Sequence, residues 1–127
     1  MASLKTVFPL FQVPDPAAAA AFYVKHFGFQ PIFEADWYVQ IRRDAHELAF
    51  ITVGHDSIPA ARRGASANVC LTFEVEDVDE CYRSLKDDLD VVVTPRDEPW
   101  QQRHFLGYDP AGIMLDVMKL VPAESTA

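Results

Sequence analysis

The sequence predicts an α+β fold of two fused βαβββ modules, forming an open, half-barrel-like mixed sheet with a concave ligand cleft. Three observations carry this expectation. Phe11-Gln12-Val13-Pro14-Asp15 recurs as Phe73-Glu74-Val75-Glu76-Asp77, so a strand pattern, an acidic residue and a helical pattern follow one another twice. Each helical pattern is followed by three strand-like runs. The length of 127 residues suits one domain with a real core and is too short for two independent ones.

The first module covers about residues 4–53. Its opening strand alternates Val7, Pro9, Phe11 and Val13 with Phe8, Leu10 and Gln12. Asp15 then offers a carboxylate to the free backbone N–H groups of a helix over Pro16–Phe27, and Pro16 suits the first helical position. Gly28 supplies the left-handed stop. Strands are expected at Phe29–Glu34, Trp37–Arg42 and Glu47–Val53, with Asp44-Ala45 as the turn before the last. Residues 54–66, with Pro59 and Arg62-Arg63-Gly64, read as a linker.

The second module covers about residues 67–120 and opens on the alternation of Val69, Leu71, Phe73 and Val75. Asp77 caps a helix over Val78–Asp87, with Glu80 completing a capping box. Val78, Cys81, Tyr82 and Leu85 form its apolar stripe. Strands follow at Val91–Thr94, Arg103–Tyr108 and Ile113–Leu120, with a turn at Asp109-Pro110-Ala111-Gly112. Residues 121–127 form the tail, frayed from Glu124. One helix covers one face of a module's sheet, so pairing two modules leaves a second, concave face as a natural ligand site.

Composition narrows the function. With 50% hydrophobic and 24% charged residues the chain reads as a soluble globular protein. A net charge of −8 gives no basic face for phosphates, so no nucleic-acid partner is expected. The charge suits a neutral or cationic ligand, or serves solubility alone. Cys70 and Cys81 stand outside any CxxC pattern and read as reduced thiols of a cytoplasmic protein. Neither a signal sequence nor a membrane span is evident, so no membrane partner is expected.

The strand-Asp-helix opening with Phe22-Tyr23 and Phe27-Gly28-Phe29, its echo Phe73-Glu74-Val75-Glu76-Asp77-Val78-Asp79, and the ending Asp109-Pro110-Ala111-Gly112-Ile113-Met114-Leu115-Asp116 together resemble the vicinal oxygen chelate superfamily. That superfamily includes glyoxalase I, extradiol dioxygenases, fosfomycin-resistance transferases, methylmalonyl-CoA epimerase and the bleomycin-resistance proteins. The resemblance spans about Val7 to Leu120. The stretch Arg96-Asp97-Glu98-Pro99-Trp100-Gln101-Gln102-Arg103-His104-Phe105 is similar to the segment that leads into the penultimate strand of the bleomycin-resistance-like branch. A homodimer is what the resemblance implies.

Strand alternation assigns the cleft side. On the second-module strands it predicts Asn68, Cys70, Thr72 and Glu74, then Gln102, His104 and Leu106, then Met114, Asp116 and Met118. On the first-module strands it predicts Phe8, Leu10 and Gln12, then Trp37, Val39 and Ile41, then Glu47, Ala49 and Ile51. Metal-dependent relatives place His, Gln or Glu at four cleft positions. By the resemblance, these correspond to Phe8, Ala49, Cys70 and Asp116. Phe and Ala carry no donor atom, and one thiol with one carboxylate makes an incomplete site. The expectation is therefore no metal and no cofactor.

The candidate ligand-binding residues are Phe8, Trp37, Val39, Cys70, Trp100, Gln102, His104 and Asp116. His104 and Asp116 are also the catalytic candidates: a hydrogen bond between them sets a tautomer for acid or base work, or else only satisfies a carboxylate. Trp37 and Trp100 are ligand-stacking walls, or respectively a core residue and the anchor of a mobile loop. Cys70 is a nucleophile only beside a cation or histidine, and otherwise a small buried hydrophobe. His26, His46 and His55 read as solvent-side and form no metal motif. The function expected is metal-independent sequestration of an aromatic or cationic small molecule, an antibiotic or metabolite, as in bleomycin-resistance proteins. The alternative is a glyoxalase-like lyase or isomerase, or a dioxygenase-like metalloenzyme with other ligands.

Overall fold

The computed structural model of the chain describes residues 2–122, so the end of the expected tail, 123–127, lies outside the described residues. The chain divides into two compact units, Met1–Ser66 and Ala67–Ala127. Each holds one four-stranded mixed sheet and one α-helix in the order βαβββ, which is the α+β repeat the sequence predicts.

The first unit comprises β1 (Leu10–Val13), α1 (Pro16–Phe27), β2 (Gln30–Ala35), β3 (Tyr38–Arg43) and β4 (His46–Thr52). Its sheet runs β1-β4-β3-β2, with β1 parallel to β4 and the other pairs antiparallel. Asp15 caps α1 by accepting from the Ala18 N–H at 3.1 Å, and Gly28 ends it at φ 70°. Alternation points Phe11, Val39, Ile41, Leu48 and Phe50 toward α1, where Tyr23 stacks on Phe50 at 5.8 Å between ring centroids. Each such fully buried side chain stabilises the unit by about 1.5–3 kcal/mol.

The linker is tied to this unit. Ser66 exchanges hydrogen bonds with Gln12 along the edge of β1, accepting from the Gln12 N–H at 2.8 Å and donating its own N–H to Gln12 O at 2.9 Å. The Gln12 amide also donates to the Arg62 carbonyl at 2.8 Å. A strand edge that would otherwise offer unpaired groups is thereby covered.

The second unit comprises β5 (Cys70–Glu74), α2 (Val78–Leu85), β6 (Asp90–Glu98), β7 (Gln102–Tyr108) and β8 (Met114–Leu120), in the sheet order β5-β8-β7-β6. Asp77 caps α2 through the Glu80 N–H at 3.0 Å, and the helix finishes as a 3-10 turn, Lys86–Asp88. Phe105, Leu115 and Val117 are fully buried beneath α2, with Tyr82 edge-on to Phe105 at 5.2 Å. Arg103 leaves β7 on the same side and grips Asp79 of α2 with two hydrogen bonds, at 2.7 and 3.0 Å.

Three sequence expectations are corrected here. The first strand begins at Leu10 rather than Val7, and Val7 is exposed instead of packing on the helix. Trp37 precedes β3, in the turn from β2. The strand expected at Val91–Thr94 extends to Glu98, so the supposed mobile loop reduces to a short hairpin tip after it. Pro95 within it has no N–H to donate to the sheet. The strand passes it by shifting register between Val93 and Arg96, as an edge strand can.

Candidate functional site

The face of each sheet turned away from its own helix, the bare face, has no cover from that helix, although Ala49, Ile51 and Met118 on it are buried. In the second unit that face carries Cys70 and Thr72 of β5, Met114, Asp116 and Met118 of β8, and Gln102, His104 and Leu106 of β7, as alternation predicts. Cys70 is exposed there rather than buried as a small hydrophobe.

The register sets His104 opposite Met118 and Asp116 opposite Leu106, so His104 and Asp116 are diagonal neighbours on one face. The His104 ring closes that diagonal, with Nδ1 2.9 Å from Asp116 Oδ1. Its other nitrogen, Nε2, lies 3.0 Å from Glu98 Oε2. Arg96 donates to the same Glu98 oxygen at 3.2 Å, completing an Arg96–Glu98–His104–Asp116 chain across β6, β7 and β8. The side chains of His104, Glu98 and Asp116 are only 7%, 11% and 17% exposed.

Two carboxylates can both accept from one imidazole only if both ring nitrogens carry protons. Burial works against ionisation of Glu98, but the His104 and Arg96 hydrogen bonds and charges outweigh it and hold this carboxyl below the usual glutamate range. Partial desolvation of the otherwise exposed side chain, with the Asp116 charge added, pushes the Cys70 thiol up against a smaller opposing hydrogen bond with Thr72. Cys70 thus lacks the low-pKa environment of a nucleophile.

Trp100 forms the tip of the β6–β7 hairpin. It is 60% exposed, yet its Nε1 donates to Gln102 Oε1 at 2.6 Å. Its ring stands edge-on to His104, with centroids 6.2 Å apart and planes at 85°. Next to it, Gln101 adopts φ 61°, and its carbonyl accepts from the Val121 N–H at 3.0 Å. Four of the residues predicted from sequence, Trp100, Gln102, His104 and Asp116, thus form one connected group. Sequence reading missed Glu98 and Arg96 because it ended their strand too early.

The first unit reverses one prediction. Val39 and Ile41 are buried toward α1, while Tyr38, Gln40 and Arg42 occupy the bare face. The apolar residues of β3 seal the helix side, and that burial decides the register over alignment with the second module. Glu47 on the same bare face accepts from Gln40 at 2.6 Å, Thr6 at 3.3 Å and Arg42 at 3.4 Å. The Gln40 hydrogen bond first, with the Arg42 charge and the other bonds, holds the Glu47 carboxyl low despite its burial. The polar alternates Tyr38, Gln40 and Arg42 were the available signal for this network. Trp37 is partly exposed and stacks on His55 at 4.4 Å.

Of the four positions that the resemblance matches to metal ligands, two carry no donor atom. Phe8, partly buried just before β1, and fully buried Ala49 offer no donor. Asp116 is engaged by His104, and the surroundings of the Cys70 thiol push its pKa up. Among the described residues, no group of three or more His, Cys, Asp or Glu is arranged to hold a metal ion. No helix among them is long and apolar enough to cross a membrane.

Comparison with known proteins places this geometry in context. The Glyoxalase/Bleomycin resistance protein/Dioxygenase superfamily model matches residues 6–117. No curated protein matches the chain. A solved glyoxalase/bleomycin resistance protein/dioxygenase from Nocardioides is 15% identical, with a TM-score of 0.76 over 100% of this chain and 90% of that one. TioX from Micromonospora sp. ML1 is 20% identical, with a TM-score of 0.74 over 93% of this chain and 100% of that one. A lactoylglutathione lyase from Agrobacterium tumefaciens is 20% identical, with a TM-score of 0.70 over 92% of this chain and 94% of that one. At these identities the likeness is one of fold.

Proposed function

This chain belongs to the glyoxalase/bleomycin resistance protein/dioxygenase superfamily, and on that premise we propose that it is a metal-independent small-molecule-binding protein of the bleomycin-resistance-like kind. The bare face of the second sheet is its site. One observation carries the reading: the sole carboxylate among the family's four metal positions, Asp116, is bound to His104 instead. Phe8 and Ala49, with no donor atoms, support it. The similarity of Arg96–Phe105 to the bleomycin-resistance-like branch supports the finer assignment.

The site suits an aromatic or cationic ligand. Trp100 offers an indole hydrogen-bonded to Gln102, Met114 offers a polarisable thioether, and Glu98 and Asp116 supply negative charge beside them. Such a mixture of apolar walls with a few placed polar groups is typical of small-molecule recognition. In this reading the protein sequesters an antibiotic or metabolite in the cytoplasm and acts as a homodimer.

A thermal-shift screen of small aromatic and cationic compounds tests the reading, because a ligand bound only by the folded state raises apparent stability. Hits are expected with the natural protein and weakened in Trp100→Ala. Hits that survive Trp100→Ala undiminished count against this site.

The His104–Asp116 contact favours one second reading, a glyoxalase-like lyase or isomerase in which His104 moves a proton and Asp116 orients its ring. Metal-independent isomerisation of an α-keto hemithioacetal to an α-hydroxy thioester, abolished by His104→Ala, is its signature. Turnover unchanged in both His104→Ala and Asp116→Asn removes it.

A further inference from the structure

Glu98 reaches His104 from a strand end that the sheet itself holds weakly. β6 is an edge of the order β5-β8-β7-β6, so Arg96–Glu98 has a sheet neighbour, β7, on one side only. The register shift between Val93 and Arg96, at a proline that has no N–H, separates this end from the rest of the strand. On the bare face its tie to β7 is the Glu98–His104 contact at 3.0 Å. On the helix side, Arg103 donates through Nη1 to Asp97 Oδ1 at 3.2 Å. Asp97 and Arg103 are register partners, set between the pairs Arg96–His104 and Glu98–Gln102.

Arg103 is in turn fixed from behind. Its Nε and Nη2 fork onto both carboxylate oxygens of Asp79, in the first turn of α2, at 3.0 and 2.7 Å. Two parallel bonds hold the plane of a guanidinium, so Nη1 is aimed in a set direction. Asp79, Arg103 and Asp97 thus form a bridge from α2 to the weakly held end of β6.

We propose that Arg103 is a positioning residue, which sets from the helix side where Glu98 meets His104 on the opposite face. This rests on the proposed binding role of that face and adds the residue that keeps its acidic end in place. Successive side chains leave a strand on opposite faces, so holding Asp97 on one face fixes where Glu98 leaves on the other. Without the bridge the Arg96–Glu98 end swings away from β7, and His104 Nε2 loses its partner.

The test uses the natural chain and diethyl pyrocarbonate, which acylates an imidazole nitrogen whose lone pair is open to the reagent. Peptide mass spectrometry reads the rate at His104, with exposed His46 as the internal standard. We expect slow reaction in the natural protein, because both His104 ring nitrogens are engaged and the side chain is only 7% exposed. Arg103→Gln should speed His104 acylation about 2- to 12-fold, and Asp97→Ala about 2- to 5-fold. The double variant should match Arg103→Gln alone, because both changes break one bridge. Val117→Ala empties space in the same buried core but takes no part in the bridge, and should leave the His104 rate unchanged.

An unchanged His104 rate in Arg103→Gln overturns the positioning role. So does a double variant whose two effects multiply, and so does equal acceleration in Val117→Ala, which would reduce the bridge to general stability. The binding function fails on a different result, the absence of any thermal shift from the compound screen, whereas these rates are read with no ligand present.

Discussion

At the residue scale, His104 holds the site together. Replacing it with alanine leaves Glu98 and Asp116 without their shared donor in a largely buried setting. We expect His104→Ala to lower stability at neutral pH by about 1–3 kcal/mol, read as a shift in the urea midpoint. Cys70 reports on the same group. Because the Asp116 charge adds to partial desolvation in pushing its thiol up, Asp116→Asn should move the pH midpoint of Cys70 alkylation downward. The measurement is made with Cys81→Ser, although the natural Cys81 thiol is itself pushed up to about 11 by burial and by Glu80. An unchanged midpoint would separate Asp116 from Cys70. Both His104 and Asp116 were legible from alternation and from the turn at Asp109–Gly112. Glu98 was not, since its partner lies six residues along the chain, across a hairpin.

At the element scale, the second sheet depends on one close approach and one ion pair. A Cβ on Gly107 would lie 2.5 Å from Leu89 Cδ2 and 2.8 Å from the Asp90 carbonyl oxygen. Gly107→Ala should therefore cost about 1–3 kcal/mol, with the urea midpoint lowered and the slope unchanged. The Arg103 hydrogen bonds, with its charge and those of Arg83 and Lys119, hold the Asp79 carboxyl below the usual aspartate range against partial desolvation. A carboxyl lowered on folding contributes stability above its unfolded value, and that contribution is lost as pH falls through the folded value. Arg103→Gln should accordingly begin acid unfolding at a higher pH, followed by circular dichroism.

The elements themselves were largely readable. Asp15 and Asp77 cap helices where expected, and Gly28 ends the first, because capping is decided by neighbours in sequence. The face of β3 was misassigned because alignment with the second module was placed above burial. Val39 and Ile41 seal the helix side, so the polar alternates face outward.

At the scale of the whole molecule, the repeat was legible because each unit carries its own strand-Asp-helix signal. The site's detail was less so, because it arises where three strands meet and depends on a register shift in β6. The central claim is that this superfamily member binds a small molecule without a metal. The most direct test is elemental mass spectrometry of protein purified without added metal or chelator, paired with ligand titration before and after chelation. The account predicts substoichiometric divalent metal and an unchanged dissociation constant. One divalent ion per chain, with binding abolished on its removal, would contradict it.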